Sequence, residues 1–325
     1  MKISDNALNI LAAKTYKGVG RAWIVKNLKA NDSKADIVAL LNERAKELNP
    51  ITNIDFENTR GSIKASILEL AHCADGVVAI GDDEFPTYRG NVKPSEQPVA
   101  LFYRGDLSLL NRNCNNIAVI GLLTPDKETE MVEQEMVSEL VRCGATIVSG
   151  LAIGCDSIAH RQALLSSGKT IAILPSPLNE ILPIENRQLA DEIVKNNGLL
   201  ITEYFNKANS KIEQSGRYQE RDRLQALFSD CVILAASYAK NDMGLDSGSR
   251  LALEYASNYS IPRALLYDRD ANDGNPKYDL NRQLIKEQAG ITVINRRNMN
   301  DEVAKIVSSK TQHKTKPIMQ VDMFG

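Results

Sequence analysis

The run Val148-Ser149-Gly150-Leu151-Ala152-Ile153-Gly154-Cys155-Asp156 joins a β-branched stretch to a helix beginning near Asp156 through a G-x-x-x-G turn. Such a turn aims bare backbone N–H groups at the positive end of a helix, and the chemistry it suits is phosphate binding. Ser149 would add a hydroxyl, while Gly150 and Gly154 would leave room for the anion. The same spacing also serves a tight strand-to-helix turn with nothing bound, where glycine is needed for backbone geometry alone. Ser247-Gly248-Ser249 offers a second set of hydroxyl and backbone donors ahead of another helix, with ordinary N-capping as its alternative.

The cations that would meet a phosphate chain are Arg161, Arg187, Arg217, Arg221, Arg223, Arg250 and Arg282, because a guanidinium donates to phosphate oxygens in pairs. Arg221 and Arg223 lead this group, two residues apart near a helix start. His72, His160 and His313 form neither a nucleophile–base pair nor a metal set, so binding rather than catalysis is expected, with no cofactor. His160 reads as a structural donor to a neighbouring loop. Glu203, Tyr204 and Glu254 would supply acid–base groups if a nucleotide were held, which keeps a sensor or hydrolase of a nucleotide-derived ligand as the alternative.

Apolar runs and amphipathic stretches alternate from about residue 116. Strands are expected over 116–122, 145–149, 170–174, 199–202, 231–235 and 263–267, with helices between them. Thr124-Pro125 should cap and open the first helix, whose Val132, Met136, Val137, Leu140 and Val141 share one face, with Gly144 as its stop. The pattern predicts an α/β fold: a Rossmann-like, doubly wound, mainly parallel sheet covered on both faces. In such sheets ligands sit beyond the carboxyl ends of the strands, where the glycine turn falls.

At this point the chain resembles the bacterial DNA-processing protein A (DprA/Smf) family. The resemblance is carried in family order by Gly81-Asp82-Asp83-Glu84-Phe85-Pro86, Leu101-Phe102-Tyr103-Arg104-Gly105-Asp106, residues 149–160, Pro183-Ile184-Glu185-Asn186, Arg221-Asp222-Arg223, Ser247-Gly248-Ser249 and residues 281–285. It implies a Rossmann-like protein that protects incoming single-stranded DNA and helps load the RecA recombinase in DNA processing and recombination. Natural transformation, plasmid or phage biology and defence all stay open as its setting. Two departures matter. The family's Gly-Ser-Arg after the first strand reads Gly121-Leu122-Leu123, which removes a phosphate-binding cation. Its Arg-Asn-Arg triplet carries Asp222 in the middle, which places a carboxylate between two cations.

The elements around this core are smaller. Residues 1–70 read as a helical domain in which Gly18-Val19-Gly20, with Lys14, Lys17, Arg21 and Lys26 around it, would present donors to DNA or simply connect two helices. Trp23 is expected in that small core. Residues 71–306 form the extended Rossmann-like part, with short strands over 77–80 and 99–103. Phe85, Tyr88, Phe102 and Tyr103 are expected to pack there rather than to stack bases. Residues 307–325 read as a flexible polar tail. It ends Gln320-Val321-Asp322-Met323-Phe324-Gly325, similar to the peptide by which bacterial proteins dock on the DNA polymerase sliding clamp: Met323 and Phe324 would fill an apolar pocket while Gln320 fixes orientation by hydrogen bonds, with Asp322 in the same partner-binding motif. A tail folded back on its own domain is the alternative. Many members of the family carry a winged-helix domain here.

A net charge of −2 over 325 residues gives no general attraction to nucleic acid, so any DNA site must be a local basic pocket. The five cysteines, Cys73, Cys114, Cys143, Cys155 and Cys231, lack C-x-x-C pairing and suit free thiols in a reducing cytoplasm. There is no apolar signal core and no membrane-length span, so a cytoplasmic protein, active as a homodimer, is expected.

Overall fold

The computed structural model describes residues 1–45, 50–240, 248–287 and 290–313. The chain opens with β1 (Lys2–Ile3) and four helices, α1 (Asp5–Ala13), α2 (Arg21–Asn27), α3 (Lys34–Ala45) and α4 (Asn53–Leu68). Then come β2 (Gly76–Ala79) and β3 (Ala100–Gly105), followed by the alternating part: β4 (Asn115–Ile120), α5 (Lys127–Arg142), β5 (Ala145–Ser149), α6 (Cys155–Leu165), β6 (Thr170–Ile173), α7 (Arg187–Lys195) and β7 (Leu199–Thr202). It continues through α8 (Lys211–Leu227), β8 (Cys231–Leu234), α9 (Ser249–Asn258), β9 (Arg263–Leu266), the short α10 (Arg269–Asn272), α11 (Asp279–Glu287), β10 (Thr292–Ile294) and α12 (Met299–His313).

These strands form one sheet in the order β1-β2-β3-β7-β6-β5-β4-β8-β9-β10. All neighbouring pairs are parallel except those that β3 makes with β2 and β7. The chain winds outward from β4 in both directions, so the switch point lies between β4 and β8. The inner strands are buried along their whole length and mostly apolar, as a sheet covered on both faces requires. Met136, Val137 and Leu140 of α5, Ala159 and Ala163 of α6 and Val303 of α12 cover one face, and Leu224 and Leu227 of α8 with Leu253 of α9 cover the other. Phe102 and Tyr103 are buried in the sheet, while Phe85, Tyr88 and Trp23 pack half-buried against the core. Among the described residues no helix is long and apolar enough to cross a membrane.

Three local expectations change. Asp126, not Thr124, caps α5, because its carboxylate accepts from both the N–H and the hydroxyl of Thr129, at 2.9 and 2.8 Å. The strand expected over 116–122 ends at Ile120, since the carbonyl of Leu122 turns out of the sheet to accept from Cys155 N–H at 2.9 Å. The N-terminal helices share one core with the sheet: Ala7, Ile24, Leu41 and Phe56 pack in the same cluster as Val77, Phe102, Leu189 and Leu200. Moreover, β1 pairs with β2 as part of that sheet.

Candidate nucleic-acid cleft

A cleft of about 550 Å³ opens beside the switch point, lined in part by Gly121 and Leu123 beyond β4, Ala152 and Ile153 of the glycine turn, Tyr218, Arg221, Asp222 and Gln225 of α8, and Gly248 and Ser249 at the start of α9. Its volume suits a small organic ligand or part of a polymer.

The glycine turn has a use for its own donors. Gly150 N–H and Ala152 N–H both donate to Asp156 Oδ2, at 3.2 Å each, so a carboxylate from the first turn of α6 sits where an external anion would. Leu151 between them is buried in the left-handed region at φ 61°, an unfavourable conformation for a branched residue. Asn186 holds it there, its amide donating to Leu151 O at 2.9 Å and Ala152 O at 3.1 Å, which gives the Pro183-Ile184-Glu185-Asn186 motif a structural task. Gly154 is also fixed by the backbone: at φ 75°, a Cβ would lie 2.2 Å from Leu122 O. Gly150 is required for a different reason, since a Cβ there would lie 1.5 Å from Arg221 Nη1.

Arg221 is the cation that the fold brings to the cleft. It is 6% exposed, yet among the described residues it makes no hydrogen bond. Its Nη1 lies 3.6 Å from Asp156 Oδ2 and its Nε 3.6 Å from Asp222 Oδ1. Asp222 accepts from Gln225 Nε2 at 3.1 Å and lies close over Gly248, where a Cβ would come within 2.7 Å of its Oδ2. Burial pushes the Asp222 carboxyl up to about 7, with Asp156 adding to the rise and Arg221 opposing it.

The other expected site residues divide. Arg223 does not join Arg221: two residues along a helix is a rotation of about 200°, so the pair leaves α8 on opposite sides. Arg223 is 1% exposed and donates to Glu203 at 2.6 Å, facing the N-terminal helices. Arg217 is buried too, bonded to Glu213 and Asn206 O at 2.6 Å each and stacked over Tyr204 at 4.2 Å, so it fastens the loop before α8. Ser149 has no free hydroxyl for a ligand because its Oγ donates to Val119 O at 2.7 Å inside the sheet. Ser249 is the first residue of α9 rather than its cap, and its Oγ donates to Gly121 O at 3.0 Å. Arg250 pairs with Glu254, and Arg282 with Asp279 and the carbonyls of Asn272 and Asn275. Arg161 and Arg187 are exposed on α6 and at the start of α7. Ser247 and the tail residues Gln320, Asp322, Met323 and Phe324 lie outside the described residues.

His160 is fully buried, its Nδ1 2.6 Å from Thr170 Oγ1 at the start of β6 rather than against a loop. Burial, with Arg221 and Arg161 adding to it, holds its pKa down to about 3, so the ring is neutral at physiological pH.

Pattern reading missed a second charged centre. Glu203, fully enclosed after β7, takes Arg223 at 2.6 Å and Arg21 at 3.3 Å, and Arg21 also reaches Glu220 at 2.7 Å. Burial opposes ionisation of Glu203, yet Arg223, Arg21 and Lys14 together hold its carboxyl below the ordinary value. Arg21, next to the Gly18-Val19-Gly20 hairpin, is therefore spent on tying the N-terminal helices to α8. Its partners are 182 and 199 residues away in sequence, beyond the reach of any local motif.

The sheet order, the strained turn at its switch point and the cleft beside it define a Rossmann-like α/β protein with an added N-terminal helical part. The family described as DNA recombination-mediator protein A matches residues 76–304, most of the chain, and the protein belongs to that family. It is 28% identical over 164 residues to the DNA processing protein DprA of Bacillus subtilis, a match covering 50% of this chain and 53% of that one, so the chain spans about half the length of this curated relative. Its fold matches DprA from Streptococcus pneumoniae with a TM-score of 0.66 at 24% identity, over 90% of this chain and 95% of that one. The DNA processing protein A of Helicobacter pylori, whose structure describes a single-stranded DNA binding mode, matches with a TM-score of 0.54 at 28% identity, over 70% of this chain and 98% of that one.

Proposed function

We propose that this protein binds single-stranded DNA along the cleft beside the switch point and acts by binding rather than by catalysis, assisting DNA processing and recombination. The observation that carries the reading is Arg221: a guanidinium almost wholly enclosed by protein but, among the described residues, without a hydrogen bond, at the mouth of the position where this class of sheet takes its ligands. The Helicobacter pylori relative supports the choice of ligand. Loading of RecA, docking of the tail on a sliding clamp and a homodimeric state belong to the same proposal and follow from the family resemblance and the terminal motif.

Because Arg217 and Arg223 are committed internally, and Arg221 stands between two carboxylates inside the cleft, the phosphate contacts are few: Arg161 and Arg187. Binding of a labelled oligonucleotide should then weaken with salt along a shallow slope, between about −1 and −2 in log–log terms. Single strands should bind more tightly than blunt duplex of equal length. Equal or tighter duplex binding would refute the proposal, as would turnover of nucleoside monophosphates by the purified protein.

A further inference from the structure

The cleft is an unusual receptor for a phosphate. One guanidinium stands between two carboxylates, each 3.6 Å away, and the N–H groups of the glycine turn are already given to Asp156. The position after β4 that carries an arginine in the resemblance above holds Leu123, 53% exposed at the cleft wall, with Ile153, 43% exposed, nearby. A phosphate placed there meets carboxylate repulsion and apolar walls. A flat, neutral, polar-edged group meets neither.

The hydrogen-bonding inventory of the floor is specific. Among the described residues Arg221 makes no hydrogen bond, its nearest acceptors being the two carboxylates 3.6 Å away. Asp222 is an acceptor with one oxygen engaged by Gln225. Gln225, 2% exposed, has spent its Nε2 on Asp222, and its buried Oε1 has no partner among the described residues. The contacts Arg221–Asp222 and Asp222–Gln225 set these groups in the order donor, acceptor, acceptor. The geometry points to a nucleobase subsite that takes the Watson–Crick edge of guanine: Arg221 donates to O6, Asp222 accepts from N1–H, and Gln225 accepts from the exocyclic amine, while Leu123, Ile153 and Tyr218 face the ring. The other bases present the wrong sequence. Thymine offers acceptor, donor, acceptor; cytosine offers donor, acceptor, acceptor; adenine has no donor at N1. As a base within a strand this rests on the proposed single-stranded DNA binding, whereas the edge chemistry holds equally for a free guanine nucleoside.

The test uses the full chain with oligonucleotides of one length, all thymine or thymine with isolated guanine or cytosine residues, together with free guanosine, inosine and cytidine followed by ligand-observed NMR. The guanine strand should bind about three- to tenfold more tightly than the thymine strand, the range of one or two well-made hydrogen bonds. Inosine, which lacks the exocyclic amine, should bind more weakly than guanosine by a similar factor, a comparison that needs no variant. Asp222→Asn keeps the side-chain shape and turns an amide donor toward N1–H, so the ratio of guanine-strand to thymine-strand affinity should fall to about one. Guanosine bound without any strand binding would support the subsite and overturn the strand-binding proposal. Strands bound with equal affinity whatever their bases, no discrimination of guanosine from inosine, or a guanine preference unchanged in Asp222→Asn would each overturn the subsite.

Discussion

Asp222→Asn should make the protein more stable, and increasingly so as pH rises. The carboxyl sits 5% exposed between Arg221 and Gln225 at the start of α9, and burial raises its pKa to about 7 from an ordinary value near 3.8. The sign follows from proton counting. Between pH 4 and 7 the native state keeps a proton that the unfolded chain has released, so native stability falls as pH climbs through that window and levels off above it. With those two values the loss between pH 5 and pH 8 is about 2–3 kcal/mol, out of roughly 4 kcal/mol over the whole titration. Asparagine carries no charge to bury and keeps the acceptor for Gln225, so its stability lacks this component. Urea unfolding of both proteins at pH 5, 6, 7 and 8 should show the difference widening by about 2–3 kcal/mol in favour of the variant. A constant offset would refute the reasoning. A wild type that gains on the variant as pH rises would do so more sharply, because it would mean that Arg221 outweighs burial and holds Asp222 ionised.

The two arginines of the Arg-Asp-Arg triplet should separate cleanly. Arg221→Ala weakens strand binding at a smaller cost in stability, its carboxylate neighbours lying 3.6 Å away, whereas Arg223→Ala costs about 3 kcal/mol or more in urea unfolding, because it strips a 2.6 Å partner from buried Glu203; a stable Arg223→Ala that has lost DNA would reverse the assignment. Gly154→Val should fail in the melt before it fails in binding, since its Cβ meets the carbonyl of Leu122. A folded, non-binding Gly154→Val would instead place a ligand at that turn. Leu123→Arg adds a cation at the cleft wall and should strengthen thymine-strand binding with a steeper salt slope, a result read by anisotropy at three salt concentrations. A peptide of residues 314–325 should bind a bacterial sliding clamp saturably, and Met323→Ala with Phe324→Ala should remove that binding; no saturation by the native peptide would end the idea.

The alternating part of the fold is legible because each inner strand is a short apolar run and each helix shows one apolar face. Hence the strands starting at Ala145, Thr170, Leu199, Cys231 and Arg263 can be placed from pattern alone. The edges are not legible: β1 and β10 are two and three residues long and exist only because a neighbour offers its backbone. In the site, residue type was readable but direction was not. Arg221 and Arg223 look equivalent in sequence and part company only through helical rotation. Ser149 looks like a phosphate ligand until the sheet supplies Val119 O. Asp156, the residue that fills the glycine turn, passes in sequence for an ordinary first-turn acid.

The Glu203 centre has a consequence for how the chain comes to be folded. Arg21 leaves the ribosome long before Glu203 and Glu220. Arg21 is therefore synthesised before either of its ion partners and keeps its charge hydrated until β7 and α8 have been made. The ion pairs of Arg21 close loops of 182 and 199 residues, contacts of high sequence separation that the chain makes only after β7 and α8 have been synthesised.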